Sequence, residues 1–175
     1  MGQAEEDLSP RIYVACLAAY NGGVLHGAWV EVGEDVQALR AAIAAMLAAS
    51  PAPMAEDYAI HDIEDFCGVE IGEHASLARV VAVAAFVRER GRLGALVLAE
   101  LGGDLDDARK AFDDYRGLYA GLCDYFAELT EDTVQIPKSL APYIDYEAMA
   151  RDARLSGVVF TIETGCDEVH VFGAL

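Results

Sequence analysis

Lysine is almost missing: it occurs only at positions 110 and 138, so few flexible ammonium groups are available to neutralise neighbouring carboxylates. Bases of both kinds number 12 against 30 acids in 175 residues, a formal net charge of −18. Affinity for phosphates comes mainly from clustered Lys and Arg, so direct binding to DNA, RNA or an anionic membrane face is disfavoured and a basic partner is expected. Long apolar runs are missing too. The longest, Ala41–Ala49, Val80–Val87 and Leu93–Ala99, fall far short of the roughly 18 residues that a spanning helix needs. The N-terminus carries Glu5, Glu6 and Asp7 where a secretory signal has a basic start and an apolar centre. Residues 1–10 therefore read as a flexible acidic tail on a cytoplasmic protein. Cys16, Cys67, Cys123 and Cys166 are scattered about fifty residues apart, without CxxC or Cys/His pairing. That pattern points to free, mostly buried thiols rather than to zinc.

Catalytic signatures are equally scarce. There is no P-loop, HExxH or GxSxG. Asp104, Asp106 and Asp107 begin like a calcium loop, but Arg109 stands where an EF-hand needs glycine. His61, Asp62 and Glu64 have the chemistry of an acid/base or metal cluster, and a small metal-dependent hydrolase using them is one alternative. The plainer reading is a strand end with a solvated turn. His26, His74 and His170 have no carboxylate partner by spacing, so no triad is proposed. The expectation is a protein that is not an enzyme and holds no metal or cofactor.

What the sequence does contain is enough apolar matter to fold. Hydrophobic residues make up 54%, too many for a disordered acidic tail. A chain of this length buries roughly 70% of its unfolded surface. Arg11–Ala18 and Leu25–Val32 are β-compatible runs around Tyr20, Asn21, Gly22 and Gly23, which predict a hairpin. Tyr13 and Trp29 on these runs are expected in the core. Val36, Leu39, Ile43, Met46 and Leu47 recur at helical spacing until Pro51 and Pro53, and Tyr58–Asp62 reads as a third strand. Leu77, Val80, Val81, Ala84 and Val87 form one helical face behind Ser76 as N-cap, and Gly91 separates this helix from another over Leu93–Leu101. Asp104 caps a helix with Asp106 and Asp107 in its first turn. Tyr115–Tyr119 is a brief strand and Leu122–Leu129 a helix. Pro137 and Pro142 bracket a turn, and Asp145 caps a helix through Arg154 that Gly157 ends. Val158–Ile162 and Glu168–Phe172 form a second hairpin.

The expected fold class is therefore α+β, in three small lobes: an α/β lobe over 11–70, a helical lobe over 71–107 and an α/β lobe over 108–175. Charge follows this division. Residues 1–70 carry 12 acids and 2 bases, residues 71–115 carry 8 and 6, and residues 116–175 carry 10 and 4. The ends are acidic and the middle is nearly balanced, so a strong negative field surrounds the ends of the chain.

Three stretches in consistent order between Ile12 and Phe172 carry a resemblance. One is Tyr20-Asn21 with Gly23, Gly27 and Trp29. Another is Tyr58–Phe66, an acidic-aromatic segment with Asp62, Glu64 and Phe66. The third and most specific runs Pro137, Leu140, Tyr143, Asp145-Tyr146-Glu147-Ala148 and Ala150-Arg151-Asp152. Together they resemble the ArdA-type antirestriction proteins of plasmids, phages and transposons. The resemblance implies an elongated, three-lobed homodimer that imitates the phosphates of B-form DNA and blocks the DNA-binding groove of type I restriction-modification enzymes. The acids in position to do so are Glu31, Glu34, Asp35, Asp57, Asp62, Glu64 and Asp65 on one side, and Asp113, Asp114, Asp124, Glu128, Glu131 and Asp132 on the other. One departure matters: the family tends to be acidic in the middle lobe, whereas Arg79, Arg88, Arg90 and Arg92 bring it to near neutrality here. Tyr146 and Met149, spaced i, i+3, are expected to face their own core, and Tyr143 takes a structural role with them. Arg151 and Asp152 serve helix-end and surface electrostatics. The alternative from the same fold is an acidic binder of another DNA-binding protein, such as a regulator or a nucleoid protein.

Overall fold

The computed structural model describes residues 8–174, so most of the acidic tail expected over residues 1–10 lies outside the described residues. The fold class is α+β. Internal contacts divide the chain into two compact units, one ending at Ala99 and one starting at Glu100. The boundary falls inside the segment 71–107 that composition sets apart.

In the first unit, β1 (Arg11–Cys16) is the central strand of an antiparallel sheet, flanked by β2 (Gly27–Glu31) and β3 (Tyr58–Glu64). Alternation sets its faces: Ile12, Val14 and Cys16 are fully buried, whereas Arg11 is exposed and Tyr13 half-buried. Helix α2 (Val36–Ala48) packs on β1 and β2 and buries Leu39, Ile43 and Met46, the apolar stripe seen in the sequence. Its start is fixed by Asp35, whose carboxylate accepts the Gln37 N–H at 2.8 Å.

The connection from β1 to β2 is not the expected tight hairpin. Leu17–Asn21 form a single helical turn, α1, before Gly22 and Gly23, and Ala19 is buried beneath it. Leu and Ala favour helix, so the glycine pair acts after that turn: Gly23 takes φ +77°. The Cys16 N–H then meets the His26 carbonyl at 2.9 Å, and β2 begins only at Gly27. Gly27 is itself dictated by packing. A Cβ there would stand 2.5 Å from the Val14 carbonyl oxygen and 2.7 Å from the Tyr13 hydroxyl. On the other side of β1 the register slips once: Val14 faces Ile60 while Tyr13 faces Asp62, so His61 is an extra, bulged residue.

Helix α3 (Leu77–Glu100) starts where Ser76 Oγ accepts the Arg79 N–H at 3.3 Å. It is two helical stretches joined at Gly91, whose φ of 59° is not helical, as its glycine predicts. Val80, Val83, Ala84 and Val87 are fully buried along the first stretch. Arg88, half-buried, donates its guanidinium to the Val32 carbonyl.

The second unit opens with α4 (Leu105–Asp113), capped by Asp104, whose carboxylate accepts the N–H groups of Asp106 and Asp107 at 2.9 and 3.0 Å. Bland helix-end chemistry thus occupies the residues that begin like a calcium loop. A second antiparallel sheet follows, with β6 (Glu168–Gly173) between β4 (Tyr115–Tyr119) and β5 (Val159–Gly165). Helices α5 (Leu122–Thr133) and α6 (Tyr146–Ser156) pack on each other and on this sheet. Their core holds Leu122, Tyr125, Ala150, Ala153, Val159 and Val171, at roughly 1.5–3 kcal/mol for each large apolar side chain taken from water. Asp145 accepts the Ala148 N–H at 2.8 Å to start α6, and Gly157 ends it in the left-handed conformation at φ 72°.

The thiols depart from expectation. None is in a disulfide, but only Cys16 is buried; Cys67 and Cys123 are half-buried and Cys166 is exposed in the turn between β5 and β6. Cys67 and Cys166 stand in turns, whereas Cys123, on α5, packs at the edge of the second unit's core.

Candidate functional site

The outer face of the first sheet gathers the acids of two strands around one base. Strand parity places Arg11, Tyr13, Trp29, Glu31, Asp62 and Glu64 on this side, with Arg11 opposite Glu31 on one flank and Glu64 on the other. Arg11 ion-pairs with Glu64 and lies 5.1 Å over the Trp29 ring. Tyr13 and Trp29 meet edge-on at 5.6 Å. They are therefore not core residues. Trp29 is 39% exposed, because the inward register positions are already taken by Ile12 and Val14. Asp62 and Glu64, two apart on β3, point the same way, about 6.7 Å apart along the strand. Asp62 also accepts the neighbouring Ile63 N–H at 2.8 Å.

Around this face Glu34, Asp35, Asp57 and Asp65 are exposed on loops and helix starts, with Asp65 at positive φ. In the second unit Asp124, Glu128, Glu131 and Asp132 are exposed along α5, and Glu128 accepts the Tyr119 hydroxyl at 3.1 Å. Asp113 is exposed at the end of α4. Asp114 differs: it is half-buried, pairs with Arg116 at 2.7 Å and sits where a Cβ on Gly173 would collide with it at 1.8 Å. Among the described residues, only Glu64 and Asp114 of these thirteen acids form an ion pair with Lys or Arg. The other carboxylates are exposed without a Lys or Arg partner, in keeping with the scarcity of lysine.

The residues weighed for chemistry are used otherwise. His61, on its bulge, stacks edge-on with Tyr20 at 5.0 Å and lies 3.6 Å from Glu73, whereas Glu64 is engaged by Arg11. Among the described residues no group of three or more His, Cys, Asp or Glu is placed to hold a metal ion. His170 is buried on β6 between two hydroxyls, Tyr115 Oη at 2.7 Å from Nδ1 and Thr164 Oγ1 at 3.2 Å from Nε2. Thr164 in turn donates to Glu168 at 3.1 Å. Proton counting along this chain gives Nε2–H as the neutral tautomer: Tyr115 donates to Nδ1, and Nε2 donates to Thr164. Burial lowers the His170 pKa, with the Glu168 charge opposing weakly.

The segment 137–152 is an exposed helix entry. Pro137 and Leu140 form a turn through the Leu140 N–H to Pro137 carbonyl bond of 2.8 Å, and a 3-10 turn follows over Ala141–Tyr143. Arg151 and Asp152 are exposed, 3.9 Å apart. Against expectation Tyr143 is 83% exposed and Met149 faces solvent, while Tyr146 alone is half-buried. The inward face of α6 is that of Tyr146, Ala150 and Ala153, with Met149 at its margin, and Tyr143 precedes the helix in the 3-10 turn. This segment and α5 border two adjoining open hollows that share Tyr146. Neither hollow is legible from sequence; an aromatic between two prolines and a helix cap was the available signal.

These features define an acidic α+β protein with exposed carboxylates in both units. A family model described as antirestriction protein (ArdA) matches residues 12–168, most of the chain. The chain belongs to the ArdA antirestriction protein family, a family of inhibitors of restriction. A comparison with curated proteins finds no match. Among the described residues no helix is long and apolar enough to cross a membrane.

Proposed function

We propose that this protein imitates B-form DNA with its surface carboxylates and competes for the DNA-binding groove of type I restriction-modification enzymes, without catalysis or a cofactor. The observation that carries this reading is the set of exposed carboxylates in both units that no Lys or Arg of the described chain neutralises. Duplex DNA presents one negative charge per roughly 1.7 Å of axis. A homodimer, the form this reading includes, carries twice 18 net charges, about 36, equivalent to about 60 Å of duplex at that spacing. The near-neutral middle segment is spoken for. Arg88 holds the Val32 carbonyl, and Arg90 pairs with Glu89 at 3.0 Å. Mimicry thus rests on the acidic lobes over 11–70 and 108–175, acting in the cytoplasm where the enzyme meets incoming DNA. The affinity is spread over many weak exposed contacts rather than a few.

The experiment is competition. The purified protein is titrated against labelled DNA already bound to a type I methyltransferase core, at two salt concentrations. Stoichiometric displacement that fades at high salt is expected, since exposed ionic contacts are screened. No displacement at low salt would refute the reading and direct the search to another basic partner, a regulator or a nucleoid protein.

A further inference from the structure

We infer that the hollows between α5 and the 134–147 segment receive arginine side chains of a basic partner, as one part of the acidic surface that it meets. The inference rests on the reading above for the partner's basic character. One hollow, about 460 Å³, has Val134, Ile136 and Ala141 in its wall and Glu131 and Asp132 at its margin. Its neighbour, about 520 Å³, is bounded by Ala127 and Ile144 with Asp124 and Glu147. Tyr146 lines both and Tyr143 lines the second. Among the described residues none of these four carboxylates pairs with Lys or Arg, and Lys138, the base of the 134–147 segment, lines neither hollow.

The combination selects a particular cation. A purely acidic face attracts any base, but here an apolar wall suits an aliphatic stem and an 83% exposed tyrosine ring offers a π face beside the carboxylates. Guanidinium is planar, weakly hydrated, stacks flat on aromatic rings and bridges carboxylates through two donors, whereas a lysine ammonium is a compact, strongly hydrated point charge without the planar fork. The Tyr143 ring, left in water by its own fold, gains cover only when such a group lies on it.

The test compares hexa-arginine with hexa-lysine, equal in charge, as probes of the full chain by isothermal titration and amide NMR. Hexa-arginine is expected to bind about fivefold tighter, with shifts concentrated in residues 131–136 and 141–147. Tyr143→Ala is expected to reduce that preference at least about twofold and Tyr143→Phe to keep it; both leave the circular dichroism unchanged, because the ring is exposed. Equal affinities, or shifts scattered over every acidic residue, would overturn the inference. The DNA-displacement assay separates the two ideas. A wild-type protein that displaces DNA but shows no arginine preference overturns the groove alone. One that prefers arginine here but displaces no DNA overturns the antirestriction target and supports the groove.

Discussion

Four carboxylates can be reversed without disturbing the fold. Glu31 on β2, Glu34 in the following loop, and Glu131 and Asp132 in the last turn of α5 are exposed and make no side-chain hydrogen bond or ion pair within the described chain. Lysine in the last turn of a helix even suits its dipole. Glu31→Lys, Glu34→Lys, Glu131→Lys and Asp132→Lys together shift the formal charge from −18 by two per site, to about −10. An exposed ion pair contributes about 0.5 kcal/mol. Four attractions lost and four repulsions of similar size gained therefore weaken binding to a basic groove by about 4 kcal/mol, roughly a thousandfold in Kd. The assay is displacement of labelled DNA from the methyltransferase core, with urea unfolding as the control. Inhibition within threefold of the wild type, in a variant that unfolds normally, would refute the electrostatic argument.

Gly27→Ala places a methyl group against the Val14 carbonyl oxygen, a backbone atom that cannot turn aside; we expect a loss of about 1–3 kcal/mol, read as a lower urea midpoint, and an unchanged midpoint would refute the close approach. His170 gives a pH signature. Its folded pKa lies below the unfolded value of about 6.5, so the unfolded chain takes the proton first, and stability that is full above that pH is lost as pH falls toward the folded value. The wild type should therefore lose more stability than His170→Gln between pH 7.5 and 5.5, where the carboxylate contributions are common to both; equal losses would count against the buried neutral histidine.

Helix ends were readable because capping is local chemistry. Ser76, Asp104, Asp145 and Gly157 each act within a few residues of their place in sequence, and the structure finds them where their spacing puts them. Strand faces were harder. Period two says that Tyr13 and Val14 point opposite ways, but only the arrival of α2 on one side decides that Val14 goes inward and that Tyr13 and Trp29 line the surface. The bulge at His61 has no composition signal, yet it lets Ile60 face inward opposite Val14 while Asp62, two residues on, faces outward opposite Tyr13. For the candidate site, the acids were legible as charges and invisible as an arrangement. Tyr143 shows the limit: nothing in the local spacing says that a 3-10 turn ahead of α6 leaves its ring in solvent.

The unpaired carboxylates set folding and recognition in opposition. Charges of one sign crowded on a small body push against one another, so the isolated chain carries a reserve of self-repulsion that added salt relieves. The same salt weakens the proposed attachment to a basic target. The protein is therefore most at ease alone in brine and most useful in dilute buffer, and a partner that supplies the missing cations acts as its counterions do, drawing the native state down in free energy as it binds.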